Sequence, residues 1–467
     1  FTTAAAGDII ADLGFTQNGT GTSSLAGDIT TTNNNIGFAT GVTLTGPVAI
    51  TTDTGAGSIT FTQTADATTA GAETLELTAG TGDITFTGLA GHTARLGAVT
   101  INSVKDLTIT AGMKAASFTQ GLNANDTLRG TGVFTLNGDL DTNAGGITIS
   151  SATVDLNANV TTTAGNDGVT DKGLVTINAG SGGVDLADAK TITTTAAVAG
   201  TTSGKIDINS VGSVNLVGNL VTTGVAGDST TNAGATGGAV TIDTTDSAAT
   251  ITISDINTSG GAAADASDAN GGAAGTITLT TNPAGTITLD DSMITAAGGV
   301  GKGTGVQGAG ANIKFANKVA LTTGSVVIST GDTGGTIEFQ NTVNGGQDLS
   351  LTAGEGNVTL TGVVGGAVDT NNANIGRLGA IDIVSAADVT ANAITAASLA
   401  QQAGSGTTTF NGAIDTNALA GVNITGTNLA LNSTINTTAA GTVTFDQSGT
   451  ATIAAAGDIT ADGAVLI

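Results

Sequence analysis

The chain has 467 residues, and 37 acidic against 11 basic residues give it a net charge of −26. It holds no Cys, Trp or Tyr, one His and two Pro, which excludes a disulfide framework, a Cys-ligated metal, thiol catalysis, collagen and proline-rich linkers. The acidic balance argues against nucleic acid or an anionic membrane as partner, because both need stripes of Lys and Arg.

Gly (73) and Thr (91) make up about a third of the chain. Disordered chains combine low hydrophobicity with high charge, whereas here only 10% of residues are charged and Val, Ile and Leu recur throughout. Gly and Thr are poor helix formers, while Thr, Val and Ile favour a pleated, half-buried surface. An all-β fold follows. No run of 18 apolar residues exists to span a membrane as a helix, and residue 1 is Phe with no basic segment before an apolar core. An acidic, Thr/Asn/Gly-rich chain with little Lys suits the cell exterior.

In chain order, the first element is the run AAAGDIIAD (4–12), which returns near the end as AAAGDITAD (454–462). A module over 40–165 follows. Its runs LTAGTGDITFTG (77–88), RLGA (95–98), AASFTQ (115–120) and NGDLDTN (137–143) return as LTAGEGNVTLTG (351–362), RLGA (377–380), AASLAQ (396–401) and NGAIDTN (411–417). Order is kept and the offset stays between 274 and 282, so 318–440 reads as a second copy. Residues 441–467 read as the start of a further repeat.

A shorter period is clearest between Val154 and Phe315, and the coils over 166–317, between the copies, carry variable loops. Apolar-x-apolar triplets open successive units at Val154-Asp155-Leu156, Val184-Asp185-Leu186, Val214-Asn215-Leu216, Ile251-Thr252-Ile253 and Ile287-Thr288-Leu289, spaced by 30, 30, 37 and 36. Each unit holds another triplet: Val175-Thr176-Ile177, Ile206-Asp207-Ile208, Val240-Thr241-Ile242, Ile277-Thr278-Leu279 and Ile313-Lys314-Phe315. A third short strand lies between, as at Asn159-Val160-Thr161, Leu220-Val221-Thr222 and Asp255-Ile256-Asn257. Hairpins would need Asn-Gly or Asp-Gly turns at two-residue spacing. The pattern instead fits coils of a parallel β-solenoid, inward side chains stacking on their equivalents ~4.8 Å away in the next coil. The Gly-rich segments 164–173, 224–238, 260–275 and 298–310 read as loops protruding from one edge.

Candidate chemistry is sparse. Thr-x-Thr repeats such as 60–62 and 85–87 read as outward residues between inward Ile and Val; a flat water-ordering array would need a constant period. Asp outnumbers Glu by 33 to 4, as turns favour. Oxygen clusters at Asp265-Ala266-Ser267-Asp268, Asp290-Asp291 and Asn166-Asp167 match neither the EF-hand loop nor the calcium-binding nonapeptide. Loose Ca²⁺ binding is the only cofactor expectation. Asp290 and Asp291 are also the pair that a glycoside hydrolase would use, but the chain lacks Trp and Tyr platforms. His92 lies beside Arg95 and has no counterpart in the second copy. The segment Gly299-Val300-Gly301-Lys302-Gly303-Thr304 lacks the Ser/Thr and the strand–helix setting of a phosphate loop and reads as a flexible loop. The sequons at Asn125, Asn357, Asn423 and Asn432 are what this composition yields by chance. No residue is assigned as catalytic, cofactor-binding or metal-ligating, and an enzyme is not expected.

The runs LTAGTGDITFTG, RLGAVTINS, AASFTQ, VFTLNGDLDTN and AAAGDITADGAV resemble the β-strand-repeat surface proteins of bacteria, which include filamentous-haemagglutinin-like and autotransporter-passenger-like adhesins. The resemblance spans nearly the whole chain. It implies a right-handed parallel β-helix, export to the bacterial cell surface, and a role in adhesion, matrix or filament. No functional residue carries over, because these motifs are coils.

The resulting expectation is one continuous right-handed parallel β-helix over 1–467, with three short strands per coil. At about 28 residues per coil it would form a rod on the order of 80 Å. Its role would be an extracellular structural or adhesive segment of a fibre or filament. Its partners would be further repeats or copies of itself, end to end, and surface glycans or proteins of a host or neighbouring cell. The alternatives are a carbohydrate-active β-helix enzyme and a Thr-rich ice-binding solenoid.

Overall fold

Runs in which Ile, Val, Leu or Phe alternate with Thr, Asp or Asn become strands of three or four residues, one face buried and the other towards solvent. The computed structural model describes residues 1–121, 130–166, 171–229, 232–265, 268–366 and 376–467. Among these there is no helix, and the strand pairings are parallel. Strands do not pair with the next strand in sequence. Ile9–Ala11 pairs with Ile29–Thr31 across two intervening strands, for example, and Ile84–Phe86 with Leu107–Ile109 across one. This is a solenoid-like sheet in which the chain winds round before returning to each ladder. The chain divides into two compact units, one of Phe1–Ala197 with Ser203–Val221 and one of Val198–Thr202 with Thr222–Ile467.

In the first unit, Phe15–Gln17, Ile36–Phe38, Ile59–Phe61, Ile84–Phe86 and Leu107–Ile109 lie side by side, with Ile36 on Ile59 on Ile84 and Phe38 on Phe61 on Phe86. The Phe38, Phe61 and Phe86 rings stack nearly parallel at 5.2 and 4.8 Å and are fully buried. The second unit repeats the device. Ile313–Phe315, Ile337–Phe339 and Val358–Leu360 pair in register, and Phe315 stacks on Phe339 at 4.6 Å.

The registers read from the triplets hold. Val154, Asp155 and Leu156 face Val184, Asp185 and Leu186, which face Val214, Asn215 and Leu216. In the second unit Ile251 faces Ile287, and Val240 faces Ile277, which faces Ile313. Opener and middle strand are not always separate. They merge into single strands in Val214–Val221 and in Ile251–Asn257.

Two features differ from the sequence reading. First, a subset of Thr points inward. Thr52, Thr142, Thr194, Thr258 and Thr437 are buried, and each hydroxyl donates to a Gly carbonyl across the neck of an excursion: Gly57 (2.6 Å), Gly145 (2.8 Å), Gly204 (2.6 Å), Gly275 (2.6 Å) and Gly441 (2.6 Å). The separations run from 3 to 17 residues, so one latch closes inserts of very different length.

Second, the long Gly-rich segments of the second unit are not separate loops. Each is an outgoing and a returning run joined by a hydrogen bond: Ala235 N–H to Val225, Gly272 N–H to Gly261, and Gly308 N–H to Gly299, all 2.8 Å. Neighbouring segments bond through donors three residues apart. Gly224 and Gly227 donate to Ser259 and Ala262, Gly234 and Gly237 to Asn270 and Ala273, and Gly271 and Ala274 to Val306 and Ala309. A three-residue period is that of a polyproline-II-like chain, not of a β ladder. At its Gly positions such packing has no room for a side chain: a Cβ on Gly272 would sit 1.8 Å from the Ala235 carbonyl oxygen. The expected flexible loop at 299–304 belongs to this lattice, with Gly299 N–H donating to Gly272 (2.8 Å) and Lys302 N–H to Ala269 (3.0 Å).

The lattice makes a direct prediction. Gly272→Ala should destabilise the protein by about 1–3 kcal/mol, as overpacking does, whereas an exposed Gly with open space, such as Gly19, should accept Ala with little change. Thermal melts of the two variants check it, and equal melts would contradict the lattice.

Candidate functional site

The two module copies provide an internal control, because what both keep serves the coil. Arg95 Nη1 donates to the carbonyl oxygens of Ala115 (2.9 Å) and Asp141 (2.7 Å), and its Nη2 to Asp141 Oδ2 (2.9 Å). Arg377 does the same in the second unit, to Ala396 (2.7 Å), to Asp415 (3.0 Å) and to the Asp415 carboxylate. One guanidinium thus staples its own strand to the next two in the stack, a geometry its planar fork of donors suits. Burial pushes the Asp415 carboxyl up, but hydrogen bonds from Arg377 and Asn436 and the Arg377 charge outweigh it and hold the group below the usual range. The buried Gln120 and Gln401 form a second duplicated pair, bonded to Ser151 (3.2 Å) and Thr408 (2.7 Å).

Beside the first staple, in the first unit, lies a recess of about 420 Å³ lined by His92, Met113, Lys114, Asp139, Asp141 and Thr161, among others. Its position follows from local structure. Gly91 turns with φ 66°, where an L side chain is strained, and a Cβ there would meet the Lys114 carbonyl oxygen at 1.9 Å. Asp66 then accepts the Thr93 N–H (2.9 Å) and holds the turn that carries His92 at the surface. Met113–Thr119 brings Lys114 opposite Asp141, and Asp139 Oδ1 accepts the Asn159 N–H (3.0 Å). Sequence reasoning singled out His92 but missed Lys114 and Asp139. They come from successive turns of the chain, 22 and 25 residues on from His92, but they are not register partners, since Lys114 stands opposite Asp141.

The other candidates are not brought together as sites. Asp265 pairs with Lys302 (2.9 Å), whose hydrogen bond and charge hold its carboxyl down, while Asp268 accepts the Thr304 N–H (3.0 Å); Ala266 and Ser267 lie outside the described residues. Asp290 accepts the Thr322 hydroxyl (3.2 Å) and that of Thr323, and Asp291 forms a turn at φ 48°, so this pair braces a corner. Asn166 hydrogen-bonds Asp171; Asp167 and the Asn125 sequon lie outside the described residues. Asn357 accepts the Asp388 N–H (3.0 Å), and Asn432 donates to Asn411 (3.0 Å) in a ladder between strands. Among the described residues no group of three or more His, Asp or Glu converges as metal ligands.

The chain matches no family model, no curated protein and no solved structure.

Stacking also juxtaposes like charges. Asp155 faces Asp185 in the ladder; burial pushes the Asp155 carboxyl up and the Asp185 charge adds to it. A carboxyl raised in the folded state costs stability above that raised value and recovers it as the pH falls towards the ordinary carboxylate range. Asp185→Asn keeps an oxygen for Asn215, which donates to Asp185 Oδ1 (2.7 Å). It should stabilise the protein at pH 7 by about 0.2–1 kcal/mol, and the gain should fade at pH 3. Melts of both proteins at the two pH values check this; a gain that persists at pH 3 would contradict it.

Proposed function

We propose that this chain is an extracellular structural and adhesive element of the bacterial cell surface, built as a right-handed parallel β-helix with three strands per coil. The observation that carries this reading is the internal duplication. The copies keep the Arg95/Asp141 and Arg377/Asp415 staples, which brace successive coils. They do not keep the polar groups that could act on a substrate. Repetition of bracing without repetition of chemistry is what a load-carrying scaffold requires. A hydrogen-bonded stack with an aliphatic and Phe interior resists local opening, because each inner strand is bonded on both edges. The resemblance to adhesin repeats points the same way, and further repeats or copies of the chain are the natural end-to-end partners.

Proteinase K applied to intact producing cells tests the location, and sedimentation over a hundredfold concentration range tests the assembly. The reading predicts removal of the protein from intact cells and growth of the sedimenting species with concentration. Full protection inside the cell would overturn the location, and a monomer throughout would overturn the end-to-end association.

A further inference from the structure

The recess beside Arg95 contains more polar chemistry than the coil needs. The backbone of the second copy repeats it closely. Gly365, like Gly91, turns at positive φ (68° against 66°), and a Cβ on it would meet the Thr395 carbonyl oxygen at 1.9 Å, as one on Gly91 would meet that of Lys114. Thr395 N–H donates to Val364 as Lys114 N–H donates to Ala90, both at 2.8 Å. Ile394 N–H donates to Ala413 as Met113 N–H donates to Asp139, at 2.9 and 2.8 Å. His92, Lys114 and Asp139 therefore correspond to Gly366, Thr395 and Ala413. The Gly turn and these two hydrogen bonds form without any of the three, and the residues that follow Gly366, 367–375, lie outside the described residues.

These groups are also chemically uncommitted. Asp141 is taken by Arg95, so although Lys114 stands opposite it in the ladder, the ammonium makes no ion pair or hydrogen bond among the described residues. The His92 ring is exposed and likewise makes no hydrogen bond there. Asp139 uses one carboxylate oxygen on Asn159. Two nitrogen donors in a chain of net charge −26 thus line one recess with a carboxylate acceptor, the Thr161 hydroxyl and the half-buried apolar surface of Leu89.

We infer that this recess binds the carboxylate-bearing sugar of an acidic glycan, a uronate- or sialate-type unit. Lys114 and His92 receive the sugar carboxylate through charge-assisted hydrogen bonds. Asp139 and Thr161 take ring hydroxyls, and Leu89 faces the C–H side of the ring. The acids of the recess repel a bare polyanion, which selects for one carboxylate surrounded by hydroxyl donors. The inference deepens the adhesive half of the proposed function and rests on it.

The test is saturation-transfer NMR on the purified chain with methyl β-D-glucuronide and the methyl glycoside of N-acetylneuraminate, against methyl β-D-glucoside and sodium acetate. At least one acidic sugar should bind, and the glucoside and acetate should not. Lys114→Thr and His92→Gly install the residues of the second copy and should keep the wild-type melt. Each should weaken binding by about tenfold, the loss of one charge-assisted hydrogen bond; Lys114→Gln, nearly isosteric, serves as the second variant at that position. No binding of either acidic sugar overturns the site. Equal competition by acetate overturns the sugar, and unchanged affinity in both Lys114 variants overturns the role of Lys114. A negative result here leaves the surface location standing, and an intracellular location leaves the monosaccharide binding standing, so the two failures are distinguishable.

Discussion

Each unit of this protein depends on the parallel ladder between one coil and the next. A parallel strand cannot be reached by a tight turn, so the chain must travel round before it pairs again. Once it does, every side chain lies against its counterpart about 4.8 Å away. That spacing decides which residues are allowed. Phe61 can lie flat on Phe86 and Ile36 on Ile59. Asn432 can bond Asn411, whereas Asp155 above Asp185 is a repulsion the stack has to carry.

The same constraint explains where the sequence is free. Length can change only where the chain leaves the ladder and returns. The Thr hydroxyl to Gly carbonyl latch makes that point indifferent to what lies beyond it, from three residues at Thr142 to seventeen at Thr258. When consecutive inserts are long and Gly-rich, their own backbones satisfy one another with a three-residue period. Buried backbone groups need partners, and Gly at the tightest contacts, such as Gly272 against Ala235, lets neighbouring chains supply them.

Much of this was legible in the sequence. Apolar triplets gave the registers of Val154 on Val184 and Ile251 on Ile287, because alternation and spacing are local and one-dimensional. The duplication predicted equivalent positions, and Arg95 and Arg377 make equivalent contacts. The Thr latches were not legible, since an inward Thr and an outward Thr look alike in a chain with 91 of them. Nor was the Gly lattice, whose composition equally describes a flexible linker until three inserts are set side by side. The recess needed residues from three successive coils, and His92 alone did not announce Lys114 or Asp139.

The chain has no native Cys, so the central claim can be tested by disulfide trapping. Thr60 and Thr85 face each other in adjacent strands, and Thr85 faces Thr108 in the next. The double variant Thr60→Cys with Thr85→Cys should cross-link on mild oxidation, its Cα atoms lying within the disulfide range of about 4.4–6.8 Å. The pair Thr60→Cys with Thr108→Cys, two steps apart, should stay reduced. Efficient cross-linking of the distant pair, or none of the adjacent one, would contradict the in-register parallel stack.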